Sequence, residues 1–125
     1  MQRLQTVNLL HEVLGVLRAN DKTPADVRWV GSSSGAFALG WGDFTRLADR
    51  EYDPGYGHCM VAPDLVVVGD DWWVERKEYA GREWWEFKTP PRLQAGRPFT
   101  RLFIEEADRG LTTPKLADLN PPVVD

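Results

Sequence analysis

An α+β domain is the fold class this sequence predicts, and three features predict it. The front of the chain has apolar residues at helical spacing. Two short β-branched and aromatic runs are separated by a Gly/Ser turn, and the stretch DLVVVGDDWWVERKEYAGREWWEFK at 64–88 alternates as an antiparallel meander does. Residues 3–19, RLQTVNLLHEVLGVLRA, place Leu4, Val7, Leu10, Leu14 and Leu17 on one stripe widened by Leu9 and Val13, which predicts an amphipathic helix. Asn20-Asp21 and Thr23-Pro24 stop it. His11 belongs to its solvent face. Val27 to Val30 and Ala36 to Gly40 then read as a β-hairpin around Gly31-Ser32-Ser33-Ser34-Gly35. That turn is no phosphate loop, because it has no lysine and leads into a strand. Trp41 to Arg50 predicts a short helix with Trp41, Phe44, Leu47 and Ala48 toward the sheet. Asp53 to His58 is loop, and Pro98 to Ile104 reads as a last strand after the breaker Thr89-Pro90-Pro91.

With 125 residues there is room for one core, which we place in residues 1–106, followed by a mobile tail over 107–125 that contains Gly110, Pro114, Pro121 and Pro122. Apolar residues at 42% and charged residues at 27% are globular proportions, and no apolar run approaches the roughly 20 residues that span a bilayer. Met1-Gln2-Arg3 leads into the amphipathic stretch and not into an apolar leader, so a cytoplasmic protein is expected. The single cysteine, Cys59, forms no internal disulfide, and with only His11 and His58 beside it a zinc site is not expected. Adjacent residues of an extended chain point to opposite sides, which makes His58 and Cys59 a poor catalytic dyad. A net charge of −4 opposes binding of a phosphate backbone, so nucleic acid is not the expected partner.

The tryptophan pairs Trp72-Trp73 and Trp84-Trp85 depend on one turn. A two-residue type I′ turn needs positive φ at both Ala80 and Gly81 and sets Glu78 against Glu83 and Glu75 against Glu86. A three-residue loop needs positive φ only at Gly81 and pairs Glu78 with Arg82 and Lys77 with Glu83, so turn chemistry and charge both select it. Trp73 then shares a face with Phe87, Trp85 and an oddly placed Glu75. Trp72 and Trp84 share the other face with Lys88 and Arg76, cations lying over aromatic rings. Trp72, Trp84, Arg76 and Lys88 are therefore the candidate binding residues, because Trp and Arg dominate binding hot spots. The N-terminal helix or the C-terminal strand of the protein itself is the competing cover for that face.

A second constellation is Pro63-Asp64 followed by Glu75-Arg76-Lys77, which resembles the PD and ExK elements of restriction-type nucleases. The resemblance implies Asp64 and Glu75 as Mg²⁺ ligands and Lys77 as the catalytic electrostatic stabiliser. A two-residue Gly69-Asp70 turn sets Asp64 opposite Glu75 on one face, whereas a three-residue loop sets Asp64 opposite Arg76 and separates the acids. The hairpin that follows at once is not the helix that family places there.

Three further runs, WVGSSSGAFALGW, FTRLADREYDPGYG and DLVVVGDDWWVERKEYAGREWWEFKTPP, resemble a group of small proteins encoded by actinobacteria and their phages, over about residues 27–91. That group has no assigned activity; the resemblance implies a small cytoplasmic accessory protein of phage or bacterial context. With no complete catalytic set in the chain and no cofactor expected, the leading expectation is a non-enzymatic module that binds another protein as a modulator or inhibitor. A Mg²⁺-dependent nuclease is the alternative.

Overall fold

The computed structural model describes residues 6–54 and 57–122. Leu4, Gly55 and Tyr56 of the helix and loop read above lie outside them, as do residues 123–125. The chain divides into two compact units, 1–90 and 91–125.

In the first unit Val7–Asn8 (β1) is extended, not helical, and pairs antiparallel with Glu51–Tyr52 (β4). The helix Leu9–Ala19 (α1) starts only after it, because the Asn8 side chain caps the turn by accepting the His11 N–H at 3.1 Å. Trp29–Ser32 (β2), Ala38–Leu39 (β3), Leu65–Val68 (β5), Trp73–Tyr79 (β6) and Arg82–Lys88 (β7) form one antiparallel sheet in the order β3-β2-β5-β6-β7. The α+β expectation holds, with the helix Trp41–Ala48 (α2) between hairpin and meander.

Val13 and Leu17 of α1 and Phe44 and Ala48 of α2 close on Val30, Val67, Trp72 and Val74 of the sheet. Leu47, expected on the inner face of α2, is instead 70% exposed. Six positions after Trp41 it is turned far from the stripe that Trp41, Phe44 and Ala48 make at i, i+3 and i+7.

The meander differs from expectation at both turns. Tyr79 pairs with Arg82, so the second turn is the two-residue form, with Ala80 at φ +50° and Gly81 at +85°. Relative to the three-residue loop this is a one-residue slip, which exchanges the faces of β7. Val74 now pairs with Phe87 and Arg76 with Trp85, which brings Trp72, Val74, Trp85 and Phe87 to the one face beneath α1. Trp72 and Phe87 stack with centroids 5.8 Å apart. Burying a large apolar side chain in full is worth about 1.5–3 kcal/mol, and the partial burial of both Trp85 and Phe87 offsets the roughly 1–2 kcal/mol cost of a left-handed alanine. The facing glutamates are neutralised locally: Glu75 by Lys77 at 3.2 Å, Glu86 by Lys88 at 3.4 Å and Glu83 by Arg76 at 3.0 Å.

The first turn is Asp70-Asp71, with the Gly69 N–H donating to Trp72 O at 2.9 Å and Val68 opposite Trp73. It is held by Arg28, whose guanidinium donates to both Asp70 carboxylate oxygens at 2.6 and 2.8 Å. Gly69 has no side chain to obstruct the Trp72 indole, which lies 2.1 Å from where a Cβ would stand.

In the second unit residues 98–104 form no strand. The segment 107–122 carries a short helix, Leu116–Leu119 (α3), and Asn120 ties it back: its side-chain oxygen accepts from the Thr100 and Arg101 N–H groups at 3.1 and 3.0 Å, and its carbonyl accepts from Arg97 at 2.6 Å. Arg101 pairs with Asp108. The unit boundary therefore falls at Pro90-Pro91, ahead of the tail expected from residue 107. Among the described residues no helix is long and apolar enough to cross a membrane.

Candidate functional site

The expected Trp72/Trp84 binding face is not assembled. Trp72 is 3% exposed in the core and Arg76 is equally buried, whereas Trp84 is on the opposite side of the sheet, 37% exposed, beside Lys77. The observed register is the cause, because residues of β6 and β7 that face each other now have numbers of opposite parity. Glu75 lies on the open face with Trp73 and Trp84, which removes the oddity of a carboxylate in an aromatic core.

Arg76 organises a polar centre that the sequence did not reveal. Its Nη1 donates to Glu12 Oε1 at 2.7 Å, and its Nη2 donates to Tyr52 Oη at 2.8 Å and to Glu83 Oε1 at 3.0 Å. Glu12 Oε1 also accepts from the Tyr52 hydroxyl at 2.7 Å and the Trp85 Nε1–H at 2.9 Å. The guanidinium lies 5.0 Å from the Trp85 ring centroid and 5.6 Å from that of Tyr52. Positions 12, 52, 76, 83 and 85 converge only because α1, β4, β6 and β7 do, so no local spacing announces them.

Electrostatics show a centre turned on itself. Burial would lower the Arg76 pKa, but its bonds to Tyr52, Glu12 and Glu83 hold it above the ordinary value. Burial and the bond to Glu12 push the Tyr52 hydroxyl up to about 12. Burial drives the Glu83 carboxyl upward, yet the hydrogen bonds from Arg76 and Cys59 leave it below its ordinary range. Cys59 donates to Glu83 at 3.2 Å and to Val61 O at 3.0 Å, and burial together with the Glu83 carboxylate raises its thiol pKa. A raised pKa removes thiolate, so Cys59 is set as a hydrogen-bond donor and not as a nucleophile. This centre is a clamp joining helix, loop and hairpin.

Two surfaces remain. Asp64 continues the β2–β5 ladder, since the Ser33 N–H donates to its carbonyl at 2.8 Å, and the observed register carries it opposite Lys77. Neither turn weighed from the sequence is the one formed, but Asp64, Glu75 and Lys77 do line one hollow of about 310 Å³. No group of three His, Cys, Asp or Glu side chains suited to a metal occurs among the described residues.

The other surface is apolar. A cavity of about 440 Å³ opens between α2 and the β2–β3 hairpin, lined by Leu9, Val30, Phe37, Leu39, Phe44 and Leu47 among others. Leu9 and Leu47 also line an adjoining hollow of about 140 Å³ with Tyr52, Met60 and Val61. Phe37 is 75% exposed and Met60 56%, so the apolar lining runs out onto the surface around both mouths. Sequence reasoning missed this face because it assigned Leu47 to the core.

Comparison adds no relative. No protein-family model, no curated protein and no solved structure matches the chain. The functional reading therefore stands on the geometry.

Proposed function

We propose that this chain is a small non-enzymatic module that binds another protein in the cytoplasm, a modulator or inhibitor of the accessory kind that its resemblance to small actinobacterial and actinophage proteins implies. The observation that carries this reading is the apolar face running from Phe37 through Leu47 to Met60 over two adjoining hollows. Its apolar surface extends past the cavity mouths, which suits a partner larger than a ligand enclosed in the cavity, and exposed apolar patches of this kind mark interaction sites. The polar centre supports the same reading, because most of its donors and acceptors are engaged with one another, Arg76 Nε and Glu83 Oε2 being buried without a partner among the described residues.

The test is site-specific photo-crosslinking in cells that express the chain, with a benzophenone side chain at Phe37, Leu47 or, as a control, the exposed helix position Arg18. A protein adduct at positions 37 and 47 that is absent at 18 and lost in a folded Leu39→Arg variant is expected. Equal labelling at all three positions refutes the assignment.

A second reading, the Mg²⁺-dependent nuclease, is favoured by one observation: Asp64, Glu75 and Lys77 line one hollow, with Lys77 on the same face of β6 as Glu75. Mg²⁺ is commonly held by one or two carboxylates with substrate phosphate completing the shell. Wild-type chain that cleaves DNA with Mg²⁺ and an Asp64→Asn variant that does not would establish it; cleavage retained by that variant eliminates it.

A further inference from the structure

We propose that a second copy of this chain pairs antiparallel with the outer edge of β7, joining the two sheets, in the register that sets Trp84 against Trp84 and Arg82 against Glu86 of the other copy.

The edge is open and long. Strand β7 ends the sheet, and among the described residues no main-chain hydrogen bond leaves its outer side. The opposite edge strand, β3, has two residues, whereas β7 has seven, of which Trp84, Trp85 and Phe87 are aromatic. An edge of this length and composition is a template for strand addition.

The tight turn decides which groups face out. Tyr79 and Arg82 flank a two-residue turn and form a hydrogen-bonded pair, so alternate pairs back to Trp73 and Lys88 are bonded inward. The outward N–H and C=O groups therefore belong to Glu83, Trp85 and Phe87. A two-fold pair of β7 strands must bond through these three, and only a few registers do so.

Charge separates the registers. Centring on Trp85 gives the longest overlap but sets Arg82 against Lys88 twice. Centring on Glu86 sets that carboxylate against itself, and centring on Glu83 leaves three residues of overlap. Centring on Trp84 overlaps Arg82 to Glu86, sets Arg82 against Glu86 twice and sets the two Trp84 rings together. Its even-numbered pairs are the non-bonded ones of the new ladder, where side chains approach most closely. Those side chains lie on the open face, where Arg82 and Trp84 are exposed and Glu86 is partly so. The seat on β7 is separate from the apolar groove beside β3, so this inference does not rest on the proposed function.

Sedimentation equilibrium tests it. Wild type is expected to dimerise with concentration. Arg82→Glu alone and Glu86→Arg alone are each expected to weaken the dimer at least tenfold, and the double exchange to restore it, with circular dichroism confirming that every variant is folded. A chain that stays monomeric up to about 1 mM, a dimer indifferent to both reversals, or one that the double exchange fails to restore overturns the proposal.

Discussion

Replacing Arg76 by methionine probes the centre of the fold. The Arg76 side chain is 1% exposed and that of Glu83 is 0%, so no water screens the pair, whereas Glu12 is 26% exposed and keeps its Tyr52 and Trp85 donors. The Arg76→Met variant leaves the Glu83 carboxylate with the weak Cys59 S–H donor at 3.2 Å and the Met60 backbone N–H, neither of which carries a charge. Removing one partner of a buried pair costs about 3–5 kcal/mol, a large part of the roughly 5–15 kcal/mol that holds a domain folded. Urea unfolding followed by tryptophan fluorescence measures the loss as a fall in midpoint at unchanged slope. The sign of the pH dependence supplies a second arm. In the wild type the Glu83 carboxyl lies below its ordinary 4.5, so its stabilisation is present above that pH and is lost as pH falls through the folded value. Without Arg76, burial alone raises that pKa, and the variant gains stability as pH falls toward 5. Adding Glu83→Leu to Arg76→Met is expected to recover most of the loss, because the uncompensated charge is then gone. A cost under about 1 kcal/mol, or a loss that the second substitution leaves unchanged, refutes the clamp.

Three further outcomes are expected. Ala80→Asn, at φ +50°, raises stability by about 1 kcal/mol in thermal unfolding, since asparagine tolerates the left-handed region that a type I′ turn requires. Gly31→Ala, whose Cβ would stand 1.8 Å from the Phe37 carbonyl oxygen, separates β2 from β3 and costs at least about 2 kcal/mol, read as loss of the hairpin's amide protection in hydrogen exchange. Tyr52, raised from 10.0 to about 12, favours the folded state while protonated, so stability declines as pH rises between those values, and Tyr52→Phe flattens that part of the curve.

The secondary structure was largely legible because it is written in local chemistry. The stripe of α1 through Val13 and Leu17, the Gly/Ser turn after β2 and the Gly69-Asp70 and Ala80-Gly81 breaks each announce an element by period or punctuation. Register was not legible. Local rules favoured a loop with one left-handed residue and alternating charge, and they failed because the sheet's inner face needed Trp85 and Phe87 on the same side as Trp72 and Val74. That demand comes from α1, more than fifty residues away in sequence, and it outweighs one strained alanine.

The candidate sites divide in the same way. Trp84 and Lys88 keep exposed positions, but Trp72 and Arg76 are interior because α1 packs on their face, and the partners of Arg76 are brought to it only by tertiary packing. The sequence by itself determined the class of fold, the succession of α1, the β2–β3 hairpin, α2 and the β5–β7 meander, and most of the residues able to build a core. The tertiary structure alone decided which side of the sheet each tryptophan occupies, which carboxylates the buried arginine meets and where apolar surface is left uncovered. The physical reason is that periodicity is a property of neighbours along the chain, whereas face, burial and ion pairing depend on which distant element arrives opposite them.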